Sequence, residues 1–276
     1  MGDVMLRAIR RRCRLRDSGY PGQTEAISGL EEWTLTRPVT ILCGDNGTGK
    51  TTLMELLAAL TRAVRIDGGV GAKSPKQQAC QRCAEDFQAV FGQKPKRSFF
   101  FQAEDFIRYL DRLRAMREDA EDALDSLERD YADRSNFARQ QAAMPHAATL
   151  AELNHLYGGS MENRSHGEGF LDFFRARLQP GGLYLLDEPE GALSYVNQMA
   201  MLILMQQAVE AGCQFILATH SPVLAACPGA ALTELRHGEL RPCAYDQLES
   251  IAFLRRFLAA RDSTLTMFGV ETEPQA

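Results

Sequence analysis

A glycine-rich loop between an apolar segment and an amphipathic segment constrains the fold of this chain more than any other feature. Residues 38–43 (PVTILC) are apolar and rich in β-branched side chains, which predicts a short buried strand. Residues 44–52 (GDNGTGKTT) come directly after them and match the motif G-x-x-x-x-G-K-[ST] in full. The leucines and methionine of residues 53–60 then have the spacing of an amphipathic helix. This order predicts a phosphate-binding loop between a strand and a helix of an α/β fold.

The chemistry of phosphate binding explains why the loop has this composition. Glycines let backbone N–H groups turn toward the phosphates, and the N-terminus of the next helix adds a positive dipole. Lys50 is expected to reach the β- and γ-phosphates, and the Thr51 hydroxyl is expected to bind Mg²⁺. ATP and Mg²⁺ are therefore the predicted ligands, and the predicted nucleotide-binding residues are Asn46, Gly47, Thr48, Gly49, Lys50, Thr51 and Thr52. A glycine-rich turn that binds no nucleotide is the alternative.

Two carboxylates lie at the end of a second apolar segment. Residues 182–186 (GLYLL) predict a strand, and Asp187 and Glu188 come directly after it. Strand ends in such sheets are where ligands gather. Asp187 fits an outer-shell position at Mg²⁺, and Glu188 fits the base that orients or deprotonates an attacking water. The doublet is a weak signal by itself and a strong one in the same chain as the phosphate loop.

A histidine lies just beyond a third predicted strand, residues 214–218 (QFILA). A helix from Tyr195 to Val209 is predicted between this strand and Asp187. A strand–helix–strand crossover of this kind brings the two strand ends to the same edge of a parallel sheet. His220 would then lie beside the γ-phosphate as a catalytic residue. The alternative is a hydrogen-bonded structural histidine.

In this order the motifs resemble the ABC ATPase superfamily. Ser165, His166, Gly167 and Glu168 stand where that superfamily has its signature, and they depart from the Ser-Gly-Gly-Gln of transporters toward the SMC and RecF side. The segments 99–104 (FFFQAE), 165–168 (SHGE) and 185–190 (LLDEPE) are similar to small stand-alone bacterial ATPases of the AAA_21 kind. The resemblance runs from about residue 4 to about residue 268.

The resemblance implies the fold and the assembly. The implied fold is α/β, a P-loop NTPase of the ABC-ATPase type, in which residues 1–276 form one domain with a mixed sheet core, flanking helices and an inserted helical lobe. Two copies would pair on binding ATP, so that the signature Ser165 of one copy faces the γ-phosphate held by the other. Lys50, Thr51, Asp187, Glu188 and His220 would act within their own copy.

The resemblance also implies three further assignments near this site. Gln102 is the expected Q-loop residue, a catalytic residue and metal ligand that touches Mg²⁺ or the attacking water, and Glu104 is its alternative. Ser194 stands where transporters usually have the D-loop aspartate, which leaves the coupling between two such sites open. Tyr20 is a candidate to stack on adenine.

The inserted lobe is expected at residues 103–164. Apolar side chains between residues 106 and 131 recur with a 4-then-3 spacing, which predicts one long helix or a short coiled-coil hairpin ending near Pro145. A second helix would run through Leu150, Leu153 and Leu156. The lobe either packs only on the core or docks a protein partner. Residues 272–276 are expected to be a loose tail.

Net charge and cysteine content bear on possible nucleic-acid binding and on possible metal or redox use. The net charge is −5, which argues against a whole-protein grip on nucleic acid. Six arginines nevertheless lie within residues 7–16; as a strand, this segment is either a solvated sheet edge or a phosphate-binding patch. Cys80 and Cys83 have C-x-x-C spacing, with metal or redox use as the alternative to two idle buried thiols.

These features predict an ATPase whose dimer closes on ATP and opens on hydrolysis. No apolar run reaches the roughly 18–20 residues that span a bilayer and no signal peptide is visible, so a cytoplasmic location is expected. Closure would act on a protein partner or on nucleic acid, with DNA repair, phage defence and a toxin-linked role all open. The alternatives are a nucleotide-binding subunit of an ABC transporter and a non-hydrolysing ATP switch that recruits a partner.

Overall fold

The computed structural model describes residues 4–17, 19–65, 74–131, 135–157 and 166–270, with the backbone alone for 154–157 and 166–168. The strands are β1 Leu6–Arg11, β2 Glu32–Thr34, β3 Val39–Cys43, β4 Val64–Arg65, β5 Phe87–Phe91, β6 Arg97–Gln102, β7 Gly182–Asp187, β8 Gln214–Ala218, β9 Ala231–Arg236 and β10 Glu239–Cys243. The α-helices are α1 Glu25–Ser28, α2 Lys50–Thr61, α3 Pro75–Ala84, α4 Ala103–Asp130, α5 Asn136–Tyr157, α6 His166–Arg177, α7 Tyr195–Glu210, α8 Pro222–Ala225, α9 Glu249–Ala259 and α10 Arg261–Met267.

A mixed, mostly parallel sheet forms the centre of the fold. Its strands lie in the order β10-β9-β3-β8-β7-β6-β4, and only the β10–β9 pair is antiparallel. Every residue of β3, β7 and β8 is buried, as expected for parallel strands covered on both faces. The three apolar segments identified in the sequence therefore form adjacent central strands, and the predicted strands are confirmed.

Helices cover the two faces of this sheet with separate apolar cores. One core contains α2, whose Leu53, Leu56 and Leu57 are fully buried against the sheet. The other is aromatic, and the Phe101 and Phe170 rings meet edge to face with centroids 4.6 Å apart. The order of elements and the mixed sheet agree with the predicted α/β class.

The arginine-rich segment differs from its prediction. β1 ends at Arg11 and lies between β2 and β5 in a separate three-stranded antiparallel sheet, so it is a central strand and not a solvated edge. Beyond Arg11 the chain folds around Asp86, whose buried carboxylate accepts hydrogen bonds from the Cys13 thiol and the Arg16 backbone amide. A strand face shared by four arginines does not form, because this carboxylate organises the chain as a loop.

The segment after Gln102 forms a helical hairpin. α4 runs for 28 residues and α5 for 22, and the two helices pack against each other. Of the two predicted alternatives, one long helix or a hairpin, the structure has the hairpin, and Leu150, Leu153 and Leu156 lie on its second helix. The predicted end near Pro145 is wrong, since Pro145 lies inside α5, which continues to Tyr157. The hydroxyl of Thr149, one turn after Pro145 in α5, donates a hydrogen bond to the Pro145 carbonyl at 3.1 Å. The predicted tail, residues 272–276, lies outside the described residues.

Cys80 and Cys83 lie on α3, and both thiols are buried. Burial raises the pKa of each thiol to about 11, so both are protonated and poorly reactive near neutral pH. No helix in the described ranges is both long enough and apolar enough to cross a membrane.

Candidate nucleotide and hydrolysis site

The predicted site residues meet where four parallel strands end. β3, β8, β7 and β6 are neighbours, and their register pairs Leu42 with Ala218, Ala218 with Asp187, and Asp187 with Gln102. Their carboxyl ends therefore form one edge of the sheet, where ligands bind in open α/β folds. The phosphate loop follows β3, Asp187 is the last residue of β7 with Glu188 directly after it, and His220 comes two residues after β8.

The phosphate loop connects β3 to α2 and depends on glycine at two crowded positions. Gly44 has φ +149°, and a Cβ there would lie 2.6 Å from the Leu235 carbonyl oxygen. Gly49 has φ +100°, and a Cβ there would lie 2.6 Å from the Cβ of Ala26. A side chain at either position would push the loop off the strand or the helix beneath it. Asn46 and Gly47, at the tip of the loop, are exposed.

Lys50 begins α2 and folds back over the loop. Its Nζ donates to the carbonyl oxygens of Gly44 and Asp45 at 2.8 and 2.9 Å, and the residue is only 4% exposed. A buried ammonium is expensive unless its donors are satisfied, and the two carbonyls supply two acceptors. The loop thus holds a positive charge where a phosphate would lie.

Asp187 and Gln102 are in direct contact. The Gln102 amide Nε2 donates to Asp187 Oδ2 at 2.9 Å, across the neighbouring ends of β6 and β7. Glu104, the alternative Q-loop residue, is exposed on the first turn of α4. The structure therefore brings Gln102, and not Glu104, to the carboxylate predicted to serve the metal.

Burial makes the ionised form of the Asp187 carboxyl unfavourable. Burial raises the pKa of its carboxyl to about 6; the side chains of Gln102 and Thr51 act in the opposite direction, and Glu188 adds to the rise. Its Oδ1 atom is buried and has no hydrogen-bond partner among the described residues. A buried, unpartnered carboxylate oxygen is a position that a cation would relieve.

Arg65, which no sequence motif marks, orients Gln102. Its guanidinium lies between Glu55, Asp105 and the Gln102 side chain, with Nη2 donating to Gln102 Oε1 at 3.1 Å and to Glu55 Oε1 at 2.9 Å. With Oε1 held by Arg65, the Nε2 group of Gln102 points at Asp187. β4 places Arg65 there by pairing with β6, and no local sequence pattern signals that pairing.

Glu188 and His220 approach each other beside the loop. Glu188 has a left-handed backbone, φ 48° and ψ 49°, which is uncommon for a residue other than glycine; strained conformations of this kind cluster at functional sites. Its Oε1 lies 3.7 Å from His220 Nδ1, and both side chains remain about half exposed. A carboxylate and an imidazole thus share an open position at the edge of the sheet, the arrangement expected of groups that act on a bound ligand.

An open cavity of about 300 Å³ lies next to these groups. Residues 43–46 of the phosphate loop, residues 219–221 after β8, Glu234 and residues 248–251 around the start of α9 line it. The phosphate loop and His220 therefore line the same open cavity.

The remaining predicted residues lie around this centre or outside the described ranges. Ser165 lies outside the described residues, and His166, Gly167 and Glu168 form the first turn of α6. The Ser194 hydroxyl caps α7 by accepting a hydrogen bond from the backbone N–H of Asn197, and Ser194 also lines a second cavity that reaches His220. Thr48 and Thr52 lie within and just after the loop. Burial raises the pKa of Tyr20 to about 12, and the Thr52 side chain partly opposes this rise.

Together, the mostly parallel sheet, the phosphate loop and the converging strand ends define a P-loop nucleotide-binding fold. Comparison with known proteins agrees with this class. Residues 72–226, more than half of the chain, match the AAA_21 family, whose description is "AAA domain, putative AbiEii toxin, Type IV TA system". The chain belongs to this family.

Individual relatives are ATP-binding proteins. The chain is 24% identical over 227 residues to the macrolide export ATP-binding/permease protein MacB of Photorhabdus laumondii, covering 81% of this chain and 33% of that protein. It is 28% identical over 225 residues to the hemin import ATP-binding protein HmuV of Streptomyces coelicolor, covering 79% of this chain and 72% of that protein. The chain spans about a third or less of the length of the first curated relatives it matches.

Among solved structures, the Smc head domain of Pyrococcus furiosus bound to the C-terminal domain of ScpA is similar. It shares 13% identity and a TM-score of 0.40, over 82% of this chain and 95% of that chain. A TM-score this low does not bear on the fold, which stands on the topology of the sheet and on the family match.

Proposed function

We propose that this protein hydrolyses ATP to ADP and phosphate in a homodimer that closes on ATP. The observation that carries the proposal is the convergence, at one sheet edge, of Lys50, Asp187, Glu188 and His220 from three different strand ends. Each residue type suits one part of phosphoryl transfer, which requires positioning and charge stabilisation more than covalent chemistry.

Mg²⁺ fits the residues at this edge. Thr51 and Asp187 offer a hydroxyl and a carboxylate, and Mg²⁺ prefers oxygen ligands. Gln102 would become a ligand only after its amide turns, because its oxygen now accepts from Arg65 and its Nε2 group donates to Asp187. The buried, unpartnered Oδ1 of Asp187 is consistent with a cation bound nearby. The described residues contain no cluster of three His, Cys, Asp or Glu side chains around a metal, so the remaining ligands would be phosphate oxygens and water, as is usual for Mg²⁺. When bound, Mg²⁺ neutralises charge on the β- and γ-phosphates.

The side chains of the chain supply the other steps. Lys50, turning from the loop carbonyls, would bind the β- and γ-phosphates. The Glu188 carboxylate would orient a water and accept its proton as the water oxygen bonds to the γ-phosphorus. The bond from the γ-phosphorus to the bridging oxygen breaks, and ADP leaves with the electron pair. His220, 3.7 Å from Glu188, would contact the γ-phosphate side of this arrangement.

The open geometry of the site around Glu188 and His220 favours a dimer. Glu188 and His220 are both about half exposed, and a site that excludes water needs a cover over them. A second copy, related by a two-fold axis, would supply this cover twice over, with Ser165 and the first turn of α6 facing the γ-phosphate. ATP binding would then stabilise the closed pair, and hydrolysis would release it.

The experiment is the solution mass of Glu188→Gln, measured by light scattering with and without Mg²⁺-ATP. Because the glutamine preserves shape and removes the proton acceptor, ATP should persist and the variant should shift from monomer to dimer. Glu210→Gln, an exposed change at the end of α7, is the matched control and should behave as the unmodified protein. A Glu188→Gln variant that binds ATP and stays monomeric would refute the proposed homodimer.

The helical hairpin of α4 and α5 is the proposed coupling element. It joins the site directly, because Gln102 is the N-cap of α4 and also contacts Asp187. A change at the metal position would therefore be transmitted to the base of a 28-residue helix. We propose that a protein partner or nucleic acid docks on this hairpin and that closure of the dimer moves it.

A nucleotide-binding subunit of a transporter is the second candidate, favoured by the MacB and HmuV relatives, whose names describe export and import. In that case the α4–α5 hairpin would contact a membrane protein. Fractionation of cells that express the tagged chain separates the two: co-purification with a membrane protein supports the transporter, and a dimer free of membrane protein supports the stand-alone ATPase.

A further inference from the structure

Glu190, two residues beyond the proposed catalytic carboxylate, is buried against the segment that carries His220. Its side chain is 7% exposed, and its Oε1 accepts hydrogen bonds from three consecutive residues. The donors are the Thr219 hydroxyl at 2.6 Å, the His220 backbone amide at 2.8 Å and the Ser221 backbone amide at 3.1 Å. Oε1 also lies 3.4 Å from His220 Nδ1. One carboxylate oxygen thus fixes both the backbone and the ring of His220.

The same segment is held from its other side by uncharged groups. The Ser221 hydroxyl donates to the Gln198 side-chain oxygen at 2.6 Å, and the Gln198 amide donates to the Leu193 carbonyl at 3.1 Å. Gln198 belongs to α7, the helix that begins after the D-loop position. These contacts fix the position of Ser221. Among the described residues, Glu190 alone contacts both the backbone amide and the imidazole ring of His220.

Two features indicate that Glu190 does more than fill space. Its Oε2 atom is buried and has no hydrogen-bond partner in the described part of the chain, an arrangement that lowers stability and calls for an explanation. The carboxylate also lies in the turn after β7, and it approaches the same Nδ1 atom of His220 that Glu188 approaches. A negative charge in this position favours a fixed orientation of the imidazole relative to Glu188.

We propose that Glu190 is a positioning residue for ATP hydrolysis that acts through His220. By holding the Thr219–Ser221 segment and the imidazole, it sets the distance between His220 and the γ-phosphate side of the site without touching the nucleotide. The inference rests on the proposed function of His220 and adds the residue that orients it. Because it serves geometry at the reacting phosphate, its loss should change turnover and leave ATP binding by the phosphate loop intact.

The test is a double-mutant cycle in kcat and KM for ATP, built from Glu190→Ala and His220→Ala. Glu190→Ala should lower kcat by roughly 10- to 100-fold, as expected when a reacting group is misplaced by about 1 Å, with KM unchanged within about twofold. In the His220→Ala background, the same substitution should lower kcat by less than about twofold, since its effect passes through the histidine. Glu190→Gln, which keeps one acceptor oxygen, should recover part of the lost turnover.

Each other outcome is decisive. An equal loss from Glu190→Ala in both backgrounds, a raised KM with unchanged kcat, or no loss while His220→Ala is impaired would overturn the role of Glu190 and leave that of His220 in place. An unimpaired His220→Ala would instead remove the proposed role of His220, and this inference with it. If Glu190→Ala does not fold, Thr219→Val removes one of the three donors and should show the same dependence on His220 with a smaller loss of kcat.

Discussion

Replacing Asp187 by asparagine should stabilise the metal-free protein. The carboxyl is 4% exposed, and burial raises its pKa from the ordinary 3.8 to about 6. One pKa unit corresponds to about 1.4 kcal/mol, so the ionised carboxylate lowers the free energy of unfolding by about 3 kcal/mol at pH 7. Asparagine keeps the shape and an oxygen that can accept from Gln102, and it removes the buried charge.

The pH dependence gives the prediction its sign. Because the folded-state pKa is raised, the folded protein binds more protons than the unfolded chain between about pH 4 and pH 6, and stability falls as the pH rises through that window. The advantage of Asp187→Asn should therefore be small near pH 4 and complete above pH 7. For a chain of this length, about 3 kcal/mol corresponds to about 6 °C in Tm.

The assay is thermal unfolding of both proteins at pH 4.5, 6 and 8 in the presence of a chelator, with ATPase activity measured in parallel. Asp246→Asn, an exposed aspartate paired with Arg255, is the control and should change stability by less than ~1 kcal/mol. The asparagine variant should be more stable and inactive. An equal or lower Tm at pH 8 would show that Asp187 is not strained by burial, and would remove the argument for a cation at its Oδ1.

Two other substitutions test the phosphate loop and the ion pair between Arg65 and Glu55. Lys50→Ala should weaken ATP binding at least ~100-fold in calorimetry, since two or more charge-assisted hydrogen bonds are lost. Replacing the exposed Lys94 by alanine is the control. Retained affinity in Lys50→Ala would contradict the assignment of the phosphate loop. Arg65→Met should lower the free energy of unfolding by about 3 kcal/mol in urea, because the Glu55 carboxylate, 12% exposed, loses its cation. A second change, Glu55→Met, should restore part of that loss, and no recovery would mean that the ion pair is not the cause.

The α/β class and the positions of the candidate site residues could be predicted because their signals are local. The phosphate loop is nine consecutive residues, and the strand before it and the helix after it are read from adjacent apolar spacing. Asp187, Glu188 and His220 were found in the same way, as polar residues at the ends of apolar runs. Parallel pairing then places strand ends at one edge whatever the length of the connections, so that their proximity could also be expected.

The predictions that the structure contradicts concern segments whose conformation depends on residues distant in sequence. The arginine-rich segment, if it were a strand through Arg16, would be a solvated sheet edge or a phosphate-binding patch, but the chain leaves the strand after Arg11 and folds around the buried carboxylate of Asp86, some 70 residues away. Pro145 suggested a helix end, because an isolated helix is broken by proline. In the structure α5 nevertheless continues through Pro145 and packs along α4.

The sequence by itself determined the phosphate loop and the residue types available for phosphoryl transfer. It also determined the order along the chain of the strands that carry the polar residues. The tertiary structure alone decided which groups orient them, namely Arg65 on Gln102 and Glu190 on His220. The physical reason is that a motif needs only neighbours along the chain, whereas a buried charge must find its partner across the sheet. That partner is chosen by strand register and burial, which no window of residues contains.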